Sequence, residues 1–256
     1  MRRAMTKPRW FVLASAAIGL AAAASVPNVF ELPEADRQRL SQYFGDAITV
    51  KAIEAKPIED PRAYLSPKDG AQWTYQVTSG KRRGQSVTAT MRSESADGGS
   101  PTWWFDAGDE SVVRLLWDED GTVMPVTRSK INKVISTYEP PEPLLSRSLA
   151  PGESRKLTLH VSVSNVDDPD QVAHTGKLEL TYTYIGAFKV TVPAGTFETV
   201  LVRWLYDGNV GPASVKDHQY WFLAKGRGVV AMIQKTDVSA FLVFQEHERY
   251  AAVLAK

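Results

Sequence analysis

From Ile185 to Val230, apolar residues recur at every second position on either side of glycine-marked turns, which is the spacing of β-strands. Phe188, Val190 and Val192 share one parity; Val200, Val202, Trp204 and Tyr206 share one after Val192-Pro193-Ala194-Gly195. Proline presets the second position of such a turn and alanine at the third favours type I over type II, so the stretch predicts a hairpin. The opposite parity is apolar as well. Leu201 and Leu205 flank Arg203, and Tyr220 and Phe222 alternate with Trp221 and Leu223. A large side chain left in water forfeits about 1.5–3 kcal/mol, so both faces of these strands need cover. The mature chain offers one candidate helix, too little for that task. The second face is therefore expected to meet another sheet, the inside of a barrel, a partner or an apolar ligand.

The same reading extends along the chain. Pro33-Glu34-Ala35-Asp36 opens the helix with proline and acids in its first turn, as the helix dipole favours; Leu40, Tyr43, Phe44 and Ala47 form its apolar face. Strands are predicted at 71–77, where Trp73, Tyr75 and Val77 align, and around Val87, Ala89 and Met91. Further strands follow at Thr102–Asp106, Val112–Trp117 and Thr122–Thr127, the last two joined by Asp118-Glu119-Asp120-Gly121, a strong hairpin signal. Leu157–Val161, Leu178–Tyr184 and Phe241–Tyr250 complete the series. Glu139-Pro140-Pro141-Glu142-Pro143 reads as a rigid connector through which no strand is expected to pass, dividing the β region into two halves. The predicted fold is mostly β: a curved antiparallel sheet, half-barrel or flattened barrel, with one short N-terminal helix.

Composition adds an address. Residues 1–24 join a basic stretch (Arg2, Arg3, Lys7, Arg9) to an apolar run ending in Ala22-Ala23-Ala24, the form of a bacterial secretory signal. Its 15-residue apolar run is short for a membrane span of about 20 residues. The expected organisation is thus signal peptide 1–24, spacer and helix 25–61, and a β domain 62–256 whose halves join at 139–143. Removing the four basic residues leaves 26 Lys and Arg against 29 Asp and Glu, a net charge of −3. That balance provides no footprint for nucleic acid or anionic lipid surfaces. Cysteine is absent, so the fold must rest on its core, and a lipid anchor on a cysteine after the signal is not expected. The protein is expected in the periplasm or the medium, not membrane-spanning once the signal is cleaved.

Three motifs carry a resemblance. Gly70-x-x-Trp73-x-Tyr75, Val190-x-Val192-Pro193-Ala194-Gly195-x-Phe197 and Tyr220-Trp221-Phe222-x-Ala224-x-Gly226-x-Gly228-x-Val230 resemble those of a broad group of exported bacterial β-rich proteins, from about Tyr64 to Tyr250. The resemblance implies a half-barrel similar to periplasmic lipoprotein carriers, which hold acyl chains in a concave face; it brings no catalytic residue.

Motif chemistry is otherwise sparse. There is no G-x-S-x-G elbow, no H-E-x-x-H and no phosphate-cradling loop. His160, His174, His218 and His247 are isolated in sequence; Asp106, Asp109, Glu110 and Asp118-Glu119-Asp120 read as turn acids before they read as calcium ligands. No cofactor or metal is expected. Trp103 and Trp104, being adjacent in a strand, should face opposite sides. The candidate ligand-binding residues are Trp73, Trp104, Trp204, Tyr220 and Trp221, lining a pocket for a hydrophobic small molecule or lipid, the competing arrangement being a two-layer core of the same rings. The expected function is a non-enzymatic carrier or binding protein in the bacterial envelope, the alternative a scaffold acting through a protein interface.

Overall fold

The structure, a computed structural model, describes residues 29–95, 101–108, 111–147, 149–240 and 244–256. The signal segment 1–24 and the start of the last strand predicted from Phe241 lie outside the described residues. The elements are α1 (Glu34–Phe44), β1 (Thr49–Ile53), β2 (Gln72–Ser79), β3 (Ser86–Glu94), β4 (Thr102–Asp106), β5 (Ser111–Trp117), β6 (Gly121–Ser129), β7 (Val134–Ser146), β8 (Ser154–Asn165), β9 (Asp168–Val192), β10 (Gly195–Val210), β11 (Ala213–Ala224), β12 (Gly228–Ala240) and β13 (Phe244–Leu254). All strands pair antiparallel in one sheet of order β1-β9-β10-β11-β12-β13-β2-β3-β4-β5-β6-β7-β8, and β8 returns to pair with β9. Closure corrects the half-barrel expectation: β2 to β13 form a complete barrel. The 25-residue β9 is long enough to serve twice. Its first part closes the barrel against β8, while residues 187–191 run on to pair with β1, outside the ring.

Cross-strand register sorts the faces. Tyr182, Trp204, Gln219, Gln234 and Tyr250 lie opposite one another in turn and point inward; Thr183, Arg203, Tyr220 and Ile233 stand on the outer side. Twelve strands enclose more space than the eight whose side chains just fill a barrel. Here a row of rings spans it. Trp73 packs on Phe105 (centroids 5.8 Å apart), Phe105 on Trp221 (6.4 Å), Trp221 on Trp204 (5.6 Å) and Trp204 on Tyr182 (5.8 Å). Tilted and edge-on arrangements of this kind are the favoured ones.

The proline-rich segment contributes the remainder of the filling, and here the prediction fails. β7 runs through it. β8 pairs with β7 only as far as Glu139↔His160, and the register with β6 breaks between Thr137 and Glu142, so Pro140 and Pro141 have no strand partner on either side and Pro143 none on the β8 side, where a missing N–H breaks no ladder. Freed from β8, Glu142 to Ser146 turn in and are buried. The inward rings replace the lost strand partner: Trp204 Nε1 donates to the Pro143 carbonyl at 2.7 Å and Tyr182 Oη to the Leu144 carbonyl at 3.1 Å. A Trp204→Phe substitution keeps most of the ring packing but strands that buried carbonyl. It is expected to cost about 1–3 kcal/mol, measured by urea unfolding.

The outer wall is covered by a smaller set of elements than anticipated. Leu40, Tyr43 and Phe44 of α1 are buried, and so are Leu201, Tyr220, Phe222, Ile233 and Ala251 on the outer side of β10–β13. Thr78 on β2 donates to the Tyr43 carbonyl. One helix suffices because β1 and the chain after it share the work. That chain crosses one end of the barrel: Gly226 N donates to the Ala63 carbonyl, Tyr184 Oη to the Lys56 carbonyl, and Leu65 is buried beside Gly228. This end is plugged. Elsewhere the wall faces water, with Lys156, Thr158 and His160 on β8 and Lys177 and Glu179 on β9 exposed. No helix among the described residues is long and apolar enough to cross a membrane.

Candidate functional site

The opposite end of the barrel is a cup. Its cavity of about 280 Å³ is lined from β5 to β13 by side chains near the strand ends, among them Val113, Met124, Tyr138, Leu178, Tyr206, Val215 and Trp221, and its polar groups include Glu142, Asp217, Gln219, Gln234 and Thr236 together with Ser111, Thr127, Ser129, Asn132 and Ser136. Trp221 forms the floor, being at once a member of the ring row and a lining residue. The period of two that brings Trp221 inward brings Gln219 and Asp217 with it, and register sets Asp217 beside Tyr206 and Thr236.

Two carboxyls are buried in this space. Thr236 Oγ1 donates to Asp217 Oδ1 at 2.8 Å and Gln219 Nε2 to Oδ2 at 2.5 Å. Burial outweighs these bonds and pushes the Asp217 carboxyl up to about 6. Glu142, carried inward by the bend of β7, is pushed up to about 8 by burial, with the nearby Asp217 adding to the shift and a hydrogen bond from Tyr206 opposing it. Burial likewise raises the Tyr206 phenol well above its usual value. At neutral pH the cup therefore holds a protonated Glu142, a donor as well as an acceptor, beside an Asp217 that is mostly ionised.

Of the residues proposed from sequence, the barrel gathers three. Trp73, Trp204 and Trp221 belong to one inward row, but only Trp221 reaches the cup. Trp204 is 1% exposed and committed to β7; Trp73 lies at the plugged end, its Nε1 donating to the Arg227 carbonyl at 2.6 Å. The other two point outward. Tyr220 is sealed under α1, hydrogen bonded to Asp36. Trp104 lies beneath the Arg128 guanidinium, 4.2 Å from its ring centroid, and donates to Glu94. Neighbours in a strand cannot share a face, so Tyr220 and Trp221 were never able to line one pocket, and Trp103 and Trp104 do face opposite ways. Glu142 escaped notice because an acid among prolines reads as linker. Asp217 could have been found from its parity with Gln219 and Trp221.

The metal candidates disperse. Among the described residues no three His, Cys, Asp or Glu side chains gather as a metal site. Asp106 is taken by Arg92 and Lys130, and Asp118 accepts from the backbone N–H groups of Asp120 and Gly121, ordinary turn chemistry. Asp109 and Glu110 lie outside the described residues.

No family model matches this chain, and no curated protein matches it. Among solved structures it is similar to a provisionally assigned lipoprotein from Parabacteroides distasonis, at 10% identity over 74% of this chain and 95% of that one, TM-score 0.36. It is also similar to a provisionally assigned exported protein with a YmcC-like fold from Bacteroides fragilis, at 12% identity over 79% of this chain and 98% of that one, TM-score 0.38. Likeness of this degree carries no argument about function.

Proposed function

We propose that this is an exported, non-enzymatic binding protein of the bacterial envelope that takes a small amphipathic molecule into the mouth of its barrel. The observation that carries the reading is the cup itself: an aromatic floor at Trp221 and walls on which apolar side chains such as Val113, Met124 and Leu178 alternate with polar ones, at the open end of a barrel closed at the other. Concave spaces approaching about 300 Å³ with converging polar groups are where proteins hold small ligands. The hydrophobic ligand anticipated from sequence narrows accordingly. The row of rings from Trp73 to Tyr182 occupies the space a long acyl chain would thread, so the apolar part of the ligand is short and lies on Trp221, Met124 and Leu178. Export rests on the amino-terminal 24 residues, and sequencing of the mature amino terminus from bacterial cells should begin at Ser25.

The binding reading is tested by native mass spectrometry and solvent extraction of protein purified from a bacterial host, alongside a Ser136→Trp variant that fills the cup from β7. A small molecule held by the parent and absent from the folded variant supports the reading. An empty parent, or a ligand retained equally by both, overturns it.

A further inference from the structure

The lining of the cup is one-sided in charge. Glu142 and Asp217 lie within it and Glu248 at its rim, while no lysine, arginine or histidine is among the described residues that line it. Around the acids stand Tyr138, Tyr206 and Trp221. Resting on the binding reading above, we infer that the ligand is an organic cation whose ammonium group sits between Glu142 and Asp217 against these aromatic faces.

Three features point the same way. A carboxylate and aromatic faces are the two partners an ammonium group finds in proteins, the ring quadrupole attracting the cation most strongly where water is excluded. An anionic ligand would meet like charge with no base to offset it. A bare metal ion would be a poor fit to a space of about 280 Å³ walled partly by Met124, Leu178 and Val215.

Entry of a cation is coupled to loss of a proton from the cup. The groups facing Glu142 are Tyr138 on its own strand, Tyr206 on β10 and Asp217 on β11, with Glu248 of β13 at the rim. Asp217 faces Gln219 and Thr236, and feels the charge of Asp237. None of these is a cation, so below about pH 8 Glu142 stays protonated until one enters. The arriving ammonium group then favours the ionised form, the proton leaves to solvent, and affinity rises with pH between about 6 and 8.

The test uses three probes of one shape: choline, its neutral carbon isostere neohexanol, and the anion tert-butylacetate. Each is titrated calorimetrically into the parent, Glu142→Gln and Ser136→Trp proteins at about pH 6 and about pH 8.5. Choline is expected to bind the parent about tenfold or more tightly than neohexanol at the higher pH, to weaken about tenfold at the lower, and in Glu142→Gln to keep only the smaller preference that the Asp217 carboxylate supplies. Because choline does not titrate, the pH dependence reports on the protein. Neohexanol or tert-butylacetate binding as well as choline, and lost in Ser136→Trp, overturns the cation while leaving the cup a binding site. No binding of any probe also overturns the cation; the cup itself then falls only if the native extraction comes back empty.

Discussion

Glu142→Gln is expected to stabilise the protein relative to the parent by roughly 3–4 kcal/mol near pH 8 and by little near pH 4.5. The sign follows from the buried carboxyl. Its folded-state value is about 8 against an ordinary 4.5, so between those values the folded protein binds a proton that the unfolded chain has released. Stability from this group is complete below about 4.5 and is lost as pH rises through 8. Glutamine is uncharged throughout, of nearly the same shape, and still accepts from Tyr206. Asp217 has a shift of the same sign, ending near 6. The two acids interact, so the parent's loss belongs to the pair, and Asp217→Asn measures the second share. Urea unfolding of parent and variant at the two pH values decides the matter. A gap equal at both would mean that Glu142 is ionised and solvated in the native state, and that the cup is wetter than its lining implies.

That a residue with so large an expected effect went unseen in sequence shows what alternation can and cannot carry. Period two located most strands, fixed the parity of Trp103 against Trp104 and of Tyr220 against Trp221, and revealed two apolar faces on β10 and β11. It carries no information on girth. Whether an antiparallel sheet stops as a half-barrel or closes depends on β13 meeting β2, a pairing between strands at opposite ends of the domain whose own patterns read the same either way. The prolines mislead for a related reason. Their cost in a strand depends on whether a neighbour sits on the N–H side, and around Pro140 and Pro141 β7 is paired with neither β6 nor β8. Once the strand is known to bend inward, Glu142 stops being linker and becomes lining. β1, β12 and the first residues of β7 were missed as separate strands, the first because it lies beside the helix in what read as a spacer. The helix was legible from its apolar spacing, but its first-turn acid was assigned only to the dipole. Coverage by so little helix depends on that acid.

Asp36 is that residue, and its replacement by alanine is expected to cost about 3 kcal/mol or more and to loosen α1 from the barrel. Arg203 Nη1 approaches its two oxygens at 2.9 and 2.8 Å, Tyr220 Oη donates to it at 2.6 Å, and Arg39 Nη1 donates in turn to Tyr220 at 2.9 Å. The Asp36 side chain is 3% exposed and that of Arg203 20%. Removing one partner of a buried pair costs about 3–5 kcal/mol, chiefly because the other charge stays behind without compensation; the partial exposure of Arg203 places the cost at the lower end. The second consequence is local. With α1 loosened, Tyr220, Phe222 and Ile233 reach water, so hydrogen exchange of α1 and of its neighbours on β11 and β12 should accelerate, and a dye that reports apolar surface should bind. The double variant Asp36→Leu with Arg203→Met replaces both charges by apolar groups and should recover most of the lost stability. If Asp36→Ala loses less than about 1 kcal/mol, the range of exposed ion pairs, the helix is held by Leu40, Tyr43 and Phe44 alone. The outer wall would then owe its cover to burial with no help from charge.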